Sequence, residues 1–170
     1  MSPVFFFHGL EGSPKGVKAR FLKKHFPSLQ VPFLPPDIEA RQEILLHLIR
    51  EPSILIGSSL GGLSAILFAM EKPELVQGML LLAPLVGLHD KTLCTNEEYK
   101  KIEQTYLPSS VRCVIIAAKE DEIIPLAAIR QFAAKRSHHQ LIELIEVSDN
   151  HALNNSLGTL LEQAQYLVSK

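Results

Sequence analysis

The sequence predicts a three-layer α/β/α fold around a six-stranded parallel sheet, and three observations lead there. Short apolar runs alternate with amphipathic segments along the chain, the pattern left by strands whose crossovers are helices. Most of these runs are continuously apolar, as expected of strands covered on both faces. With 170 residues, 46% apolar and 21% charged, the chain is long enough to bury a full core and carries no biased tract, so one domain over residues 1–170 is expected.

The first strand is Val4-Phe5-Phe6-Phe7, followed by the loop His8-Gly9-Leu10 and a surface helix starting at Pro14-Lys15. Ser13, Lys15 and Gly16 could suggest an anion-binding helix start, but no P-loop pattern accompanies them. Residues 29–33 read as the second strand. Over residues 37–50, Ile38, Ile44, Leu45, Leu48 and Ile49 fall on one side of a helix that Asp37 is placed to cap and Glu51-Pro52 ends. Residues 53–56 form the third strand and lead into Leu60 to Met70, apolar nearly all round and therefore expected at the centre. The fourth strand is 78–82. An excursion at about residues 84–110 follows, with a polar helix near 95–106; it reads as an ordinary crossover with a long lead-in or as a small cap over the site. Strands five and six are 111–117 and 140–147, and the helix 150–170 carries a stripe of Leu153, Leu157, Leu160, Leu161, Ala164 and Val168.

Composition narrows the partners. The formal net charge is −1, with both signs mixed along the chain, which argues against nucleic acid or an anionic membrane as partner. The longest apolar stretch, residues 78–88, contains Pro84 and is too short to span a bilayer. The start lacks a basic n-region and a full h-region, so cytoplasmic residence is the default expectation. Cys94 and Cys113 could pair, although free thiols are the simpler reading. No ligand spacing supports a metal site, and the His138-His139 pair precedes the last strand, on the far edge from the other candidate residues. No cofactor is expected, and a monomer is the default.

The most informative stretch is Gly57-Ser58-Ser59-Leu60-Gly61, a G-x-S-x-G pattern between a strand and a helix. That context is the nucleophile elbow, a tight turn that exposes a serine Oγ at the carboxyl end of a strand. The flanking glycines are explained by the turn, where Cβ atoms would clash with neighbouring backbone. A serine nucleophile needs a base and a carboxylate to orient it. After strand five comes Glu120-Asp121-Glu122-Ile123-Ile124-Pro125, and after strand six comes Asp149-Asn150-His151. Ser59, Asp121 and His151 would then share the carboxyl edge of the sheet, where such sheets bind ligands. Ser58 competes with Ser59 only if the elbow is out of register. Glu120 and Glu122 compete with Asp121, which could instead cap a helix. An oxyanion hole would use the N–H of Leu60 and that of Leu10, with Gly9 permitting close approach and His8 bracing the loop.

These residues resemble the α/β-hydrolase superfamily, and specifically the very small YqiA/YcfP-type bacterial esterases. The resemblance runs through Phe6-Phe7-His8-Gly9-Leu10-Glu11-Gly12-Ser13-Pro14, Gly57-Ser58-Ser59-Leu60-Gly61-Gly62, Asp121-Glu122-Ile123-Ile124-Pro125 and Asn150-His151-Ala152. It implies a minimal fold lacking the two N-terminal strands and large cap of longer relatives, with strand order 2-1-3-4-5-6 along this chain. The D-x-I-x-P spacing selects Asp121 as the acid. Ala118 and Asn150 stand where many relatives have glycine. The implied activity is hydrolysis of a small acyl ester or thioester, rising with pH as the His151 imidazole deprotonates. Leu85, Val86, Leu88 and Leu93 are candidates for an acyl pocket or for core. The alternative is a protein of the same fold that binds without turnover.

Overall fold

The computed structural model describes residues 2–135 and 141–170. The His138-His139 pair lies outside the described residues, as does the first residue of the expected strand 140–147. Five parallel strands are described: β1 (Val4–Phe7), β2 (Ser53–Ser58), β3 (Val76–Leu82), β4 (Cys113–Ala118) and β5 (Ile142–Val147), in the order β1-β2-β3-β4-β5. The helices are α1 (Val17–His25), α2 (Ile38–Leu48), α3 (Leu60–Glu71), α4 (Asn96–Glu103), α5 (Leu126–Ala134) and α6 (Leu157–Val168).

The sheet divides its side chains by the period of two. Phe5, Phe7, Leu55, Met79, Leu81, Ile115 and Ala117 face one side, packed with Leu45, Phe68, Ile129 and Phe132 of α2, α3 and α5. Val4, Phe6, Ile54, Ile56, Leu80, Leu82 and Ile116 face the other, packed with Leu22 of α1 and with Leu160, Ala164 and Leu167 of α6. This is the expected three-layer architecture.

The six-stranded sheet and the order 2-1-3-4-5-6 need correction. The segment 29–33 is not a strand; it touches β1 through a single parallel bridge between Phe5 and Gln30. Gln30 N–H donates to Val4 O and Phe6 N–H donates to Gln30 O, both at 2.9 Å. In a parallel ladder the next donor on that segment would be residue 32, and Pro32 has no N–H. The pairing stops there, beside β1 on the side where a sixth strand would lie.

Two helices also differ from expectation. Asp37 caps α2, its carboxylate accepting from Ala40 N–H at 2.7 Å, but Ile44 and Leu48 are exposed and the buried face is Ile38, Arg41 and Leu45, continued by Ile49. At 3.6 residues per turn, the spacing 38, 41, 45, 49 makes one stripe, and Ile44 lies about a quarter turn from Leu45. The last helix starts only at Leu157, because residues 150–156 form turns and a short 3-10 helix (Asn154–Ser156) that leave His151 on a loop. Helix α5 follows the acidic run, but Pro125 and not Asp121 stands at its N-cap position.

The excursion between β3 and β4 is tied down at several points. Helix α4 begins with a capping box, Thr95 accepting from Glu98 N–H while Glu98 accepts from Thr95 N–H. Its buried Ile102 packs with Ile38, Leu60 and Leu63, and Lys101 pairs with Glu39 of α2 at 2.9 Å. Cys94 and Cys113 are free thiols. Among the described residues, no helix is long and apolar enough to cross a membrane.

Candidate active site

Strand β2 ends at Ser58 and α3 begins at Leu60, leaving Ser59 alone to make the turn. It does so at φ 55° and ψ −116°, a region that side-chain-bearing residues rarely occupy and that costs about 1–3 kcal/mol. The turn is locked from both sides: Ser59 N–H donates to Leu82 O at 2.9 Å, and Ser59 O accepts from Leu63 N–H at 3.2 Å and Leu85 N–H at 3.1 Å. Neighbouring backbone leaves no room for side chains at the flanking glycines. A Cβ on Gly57 would lie 2.4 Å from Gly61 O, and one on Gly61 would lie 2.0 Å from Phe7 O. Ser58 is buried in the strand, paired in register with Leu82, and is not the serine that meets the histidine.

Ser59 Oγ lies 2.9 Å from His151 Nε2. On the other side of the ring, His151 Nδ1 lies 2.9 Å from Asp121 Oδ2 and 3.1 Å from Asp121 Oδ1. An ionised carboxylate only accepts, so Asp121 places the imidazole proton on Nδ1 and leaves Nε2 as acceptor for the serine hydroxyl. Asp121 is itself fixed, since its Oδ1 accepts from Ile123 N–H at 2.8 Å and Ile124 N–H at 2.7 Å. Glu122 accepts from His151 N–H at 3.1 Å. Thus Glu122 serves the backbone of the histidine loop while Asp121 serves the ring. Glu120 is exposed, and its N–H donates to Asp149 O at 3.1 Å.

The loop after β1 packs against the elbow. A Cβ on Gly9 would lie 3.3 Å from Ser59 Cβ and 3.9 Å from Ser59 Oγ. His8 is buried, with Nδ1 2.9 Å from Gly9 O and Nε2 accepting from Leu34 N–H at 3.1 Å. These partners fix a neutral tautomer with its proton on Nδ1. Burial, opposed by the Gly9 hydrogen bond and aided by the charge of Arg41, lowers the His8 pKa. Leu10 is 58% exposed. Leu60 opens α3, where a first-turn N–H has no carbonyl one turn back to bond. Of the apolar candidates, Leu88 is buried, Leu85 and Val86 are half-buried and Leu93 is exposed. Val86 and Leu88 line a groove of about 440 Å³ with Pro125, Ala128 and Phe132.

Three contributors escaped sequence reading. Arg41 reaches from α2 to the His8 and Gly9 carbonyls, and the one available signal was its phase on the stripe Ile38–Leu45. Asp149 is buried beneath the histidine loop. It accepts from Asn150 N–H at 2.8 Å, Asn155 N–H at 3.0 Å, Asn155 Nδ2 at 3.3 Å and Ser156 Oγ at 2.8 Å. His89 ties the excursion to the acid loop, its N–H donating to Ile123 O at 3.1 Å and its Nε2 lying 3.1 Å from Asp121 O. Among the described residues, no group of three or more His, Cys, Asp or Glu could hold a metal ion.

Comparison with known proteins agrees with this architecture. A family model described as serine hydrolase matches residues 7–156. A Xanthomonas campestris pv. campestris protein assigned to the alpha/beta hydrolase superfamily superposes with a TM-score of 0.79 at 22% identity, covering 100% of both chains. Mouse alpha/beta hydrolase domain-containing protein 10 gives 0.77 at 18% identity over 98% of this chain and 89% of its own. Est1E of Butyrivibrio proteoclasticus, solved with ferulic acid bound, gives 0.71 at 14% identity over 99% and 90%. At these identities the likeness is one of fold. No functionally curated sequence matches the chain. The match over residues 7–156 takes in the elbow, the acid loop and the histidine loop, and by it the chain belongs to the serine hydrolase family, built on the α/β-hydrolase fold.

Proposed function

We propose that this hydrolase cleaves a small acyl ester or thioester through an acyl-enzyme on Ser59, with His151 as general base and acid and Asp121 orienting it. The observation that carries the reading is the unbroken chain from Ser59 Oγ through His151 to Asp121, each link 2.9 Å, ending on a strained serine. Ser59 Oγ attacks the acyl carbon while its proton passes to His151 Nε2. The imidazolium is stabilised by Asp121, which keeps its own charge. The developing oxyanion is held by the N–H groups of Leu10 and Leu60. His151 then gives the proton to the leaving alkoxide or thiolate as the carbon–oxygen or carbon–sulfur bond breaks. Water enters, loses a proton to His151, and attacks the acyl-enzyme; the acid leaves and the proton returns to Ser59 Oγ.

Gly57 and Gly61 support this chemistry by letting strand and helix close around the turn, and His8 and Gly9 by placing the oxyanion loop. A panel of esters and thioesters of increasing chain length, with Ser59→Ala as blank, tests the proposal. Turnover of short acyl substrates should fall by about 10⁴-fold or more in the variant. Turnover that survives Ser59→Ala, or folded wild-type protein inert to the whole panel, would contradict it, the latter in favour of a binding role.

A further inference from the structure

Arg41 is 1% exposed and heads the large fully buried side chains. Among the described residues, no carboxylate lies within ion-pair distance of it. Burial pushes its pKa down to about 10, so it keeps its charge at neutral pH. A buried, unneutralised charge is costly, and an apolar side chain of similar volume would serve packing better. What the guanidinium touches is therefore informative. Nε donates to Pro35 O at 2.6 Å, Nη1 to His8 O at 2.8 Å and Nη2 to Gly9 O at 3.3 Å.

Two of these carbonyls are consecutive, and they belong to the loop that packs on Ser59. The described peptides are trans, and in a planar trans peptide the N–H points opposite the C=O. Where Gly9 O is held therefore decides where Leu10 N–H points. Gly9 O also meets His8 Nδ1 at 2.9 Å and Gly12 N–H at 3.2 Å, so three donors converge on one oxygen. Donors on a carbonyl polarise its peptide and make the attached N–H a stronger donor.

We infer that Arg41 is a positioning residue for the oxyanion hole: it anchors the Gly9 carbonyl, aims the Leu10 N–H, and places a fixed positive charge behind that peptide. This rests on the hydrolytic reading of Ser59 given above. It adds a device that acts on the transition state without touching substrate.

Arg41→Lys keeps the charge and loses the planar fork, whereas Arg41→Met loses both. Expected kcat losses are about tenfold and about a hundredfold, at or below the loss of a whole oxyanion donor, with KM changed by less than about threefold. Affinity for a boronic acid that forms a tetrahedral adduct should fall by the same factor as kcat, and the shape of the pH profile should stay. A lower melting temperature with unchanged kcat in the folded protein, or a kcat loss without loss of boronate affinity, overturns the inference. A second measurement needs no substitution and covers the case in which both variants unfold. In 15N-labelled wild-type protein, a held fork gives separate Arg41 Nη resonances, and the boronate shifts them together with the Leu10 amide. Averaged Nη signals, or a Leu10 amide blind to the boronate, also overturn it. Full kcat in the Arg41 variants with activity still abolished by Ser59→Ala removes only the positioning role; activity surviving Ser59→Ala removes the underlying hydrolytic reading.

Discussion

Ser59 and His151 meet at 2.9 Å, yet the loops that carry them are held by different contacts. The elbow is backbone packed on backbone: β2, α3 and the end of β1 approach so closely at Gly57 and Gly61 that no side chain fits between them. The histidine loop is gathered around carboxylates, with Asp149 taking four donors and Glu122 and Asp121 taking the His151 N–H and ring. Steric closure fixes a position whatever the pH and fails abruptly when a methyl is added. A hydrogen-bonded carboxylate network yields by degrees and yields to acid.

The largest effect should come from the steric side. Gly61→Ala sets a Cβ against Phe7 O, a backbone atom with no flexible end to swing aside. Urea unfolding should show a loss of about 4 kcal/mol or more, or no folded protein. On the polar side, Asp149→Ala strands the donors of Asn150, Asn155 and Ser156 but leaves the elbow intact. A loss of about 2 kcal/mol by urea unfolding is expected, with kcat reduced about tenfold as His151 loses its support. An intact kcat there would show that the histidine loop is held as rigidly as the elbow.

Smaller effects sharpen the contrast. Both Ser59→Ala and Ser59→Gly remove the hydroxyl, but only glycine accepts φ 55° and ψ −116° without strain. In thermal unfolding Ser59→Gly should be more stable than Ser59→Ala by about 1 kcal/mol. Equal stabilities would mean that the elbow stores no strain.

Acid should leave the elbow's own closure untouched but reach the neighbouring loop after β1 and the histidine loop at different pH. Burial lowers the His8 pKa, so its contribution is fully present above its unfolded value of about 6.5 and is lost as pH falls below it. For Asp149, burial alone would push the pKa up, but hydrogen bonds from Ser156, Asn150 and Asn155 outweigh it and hold the carboxylate low. Its contribution is present above about pH 4 and is lost as pH falls further. Stability measured against pH should therefore fall in two steps, the upper flattened by His8→Gln and the lower by Asp149→Asn. A profile unchanged by either substitution would contradict the assignment.

What the sequence revealed follows the same division. The elbow is legible because steric closure demands glycine and leaves a short, ordered pattern, and the meeting of Asp121 with His151 is foreshadowed by their places after successive strands. The apolar runs identify β1 to β4 well because buried strands admit little else, whereas β5 is only partly buried and carries Glu143 and Glu146. The segment 29–33 misleads because its composition suits a strand while Pro32 removes the next ladder donor. Ile44 and Leu48 mislead because apolar count does not fix helical phase. Arg41 and Asp149 were hidden for a deeper reason. Arg41 matters through the His8 and Gly9 carbonyls, which come from a distant part of the chain, whereas the Asp149 donors are local but belong to an irregular loop with no hydrophobic period to mark them.

Whether Ser59 is the nucleophile is read most directly from where a fluorophosphonate attaches, by peptide mass spectrometry on folded protein. A single phosphonyl adduct is expected on Ser59, absent in Ser59→Ala and formed about 10³-fold or more slowly in His151→Gln. An adduct on Ser58 or another residue, or none on folded wild-type protein, would contradict it.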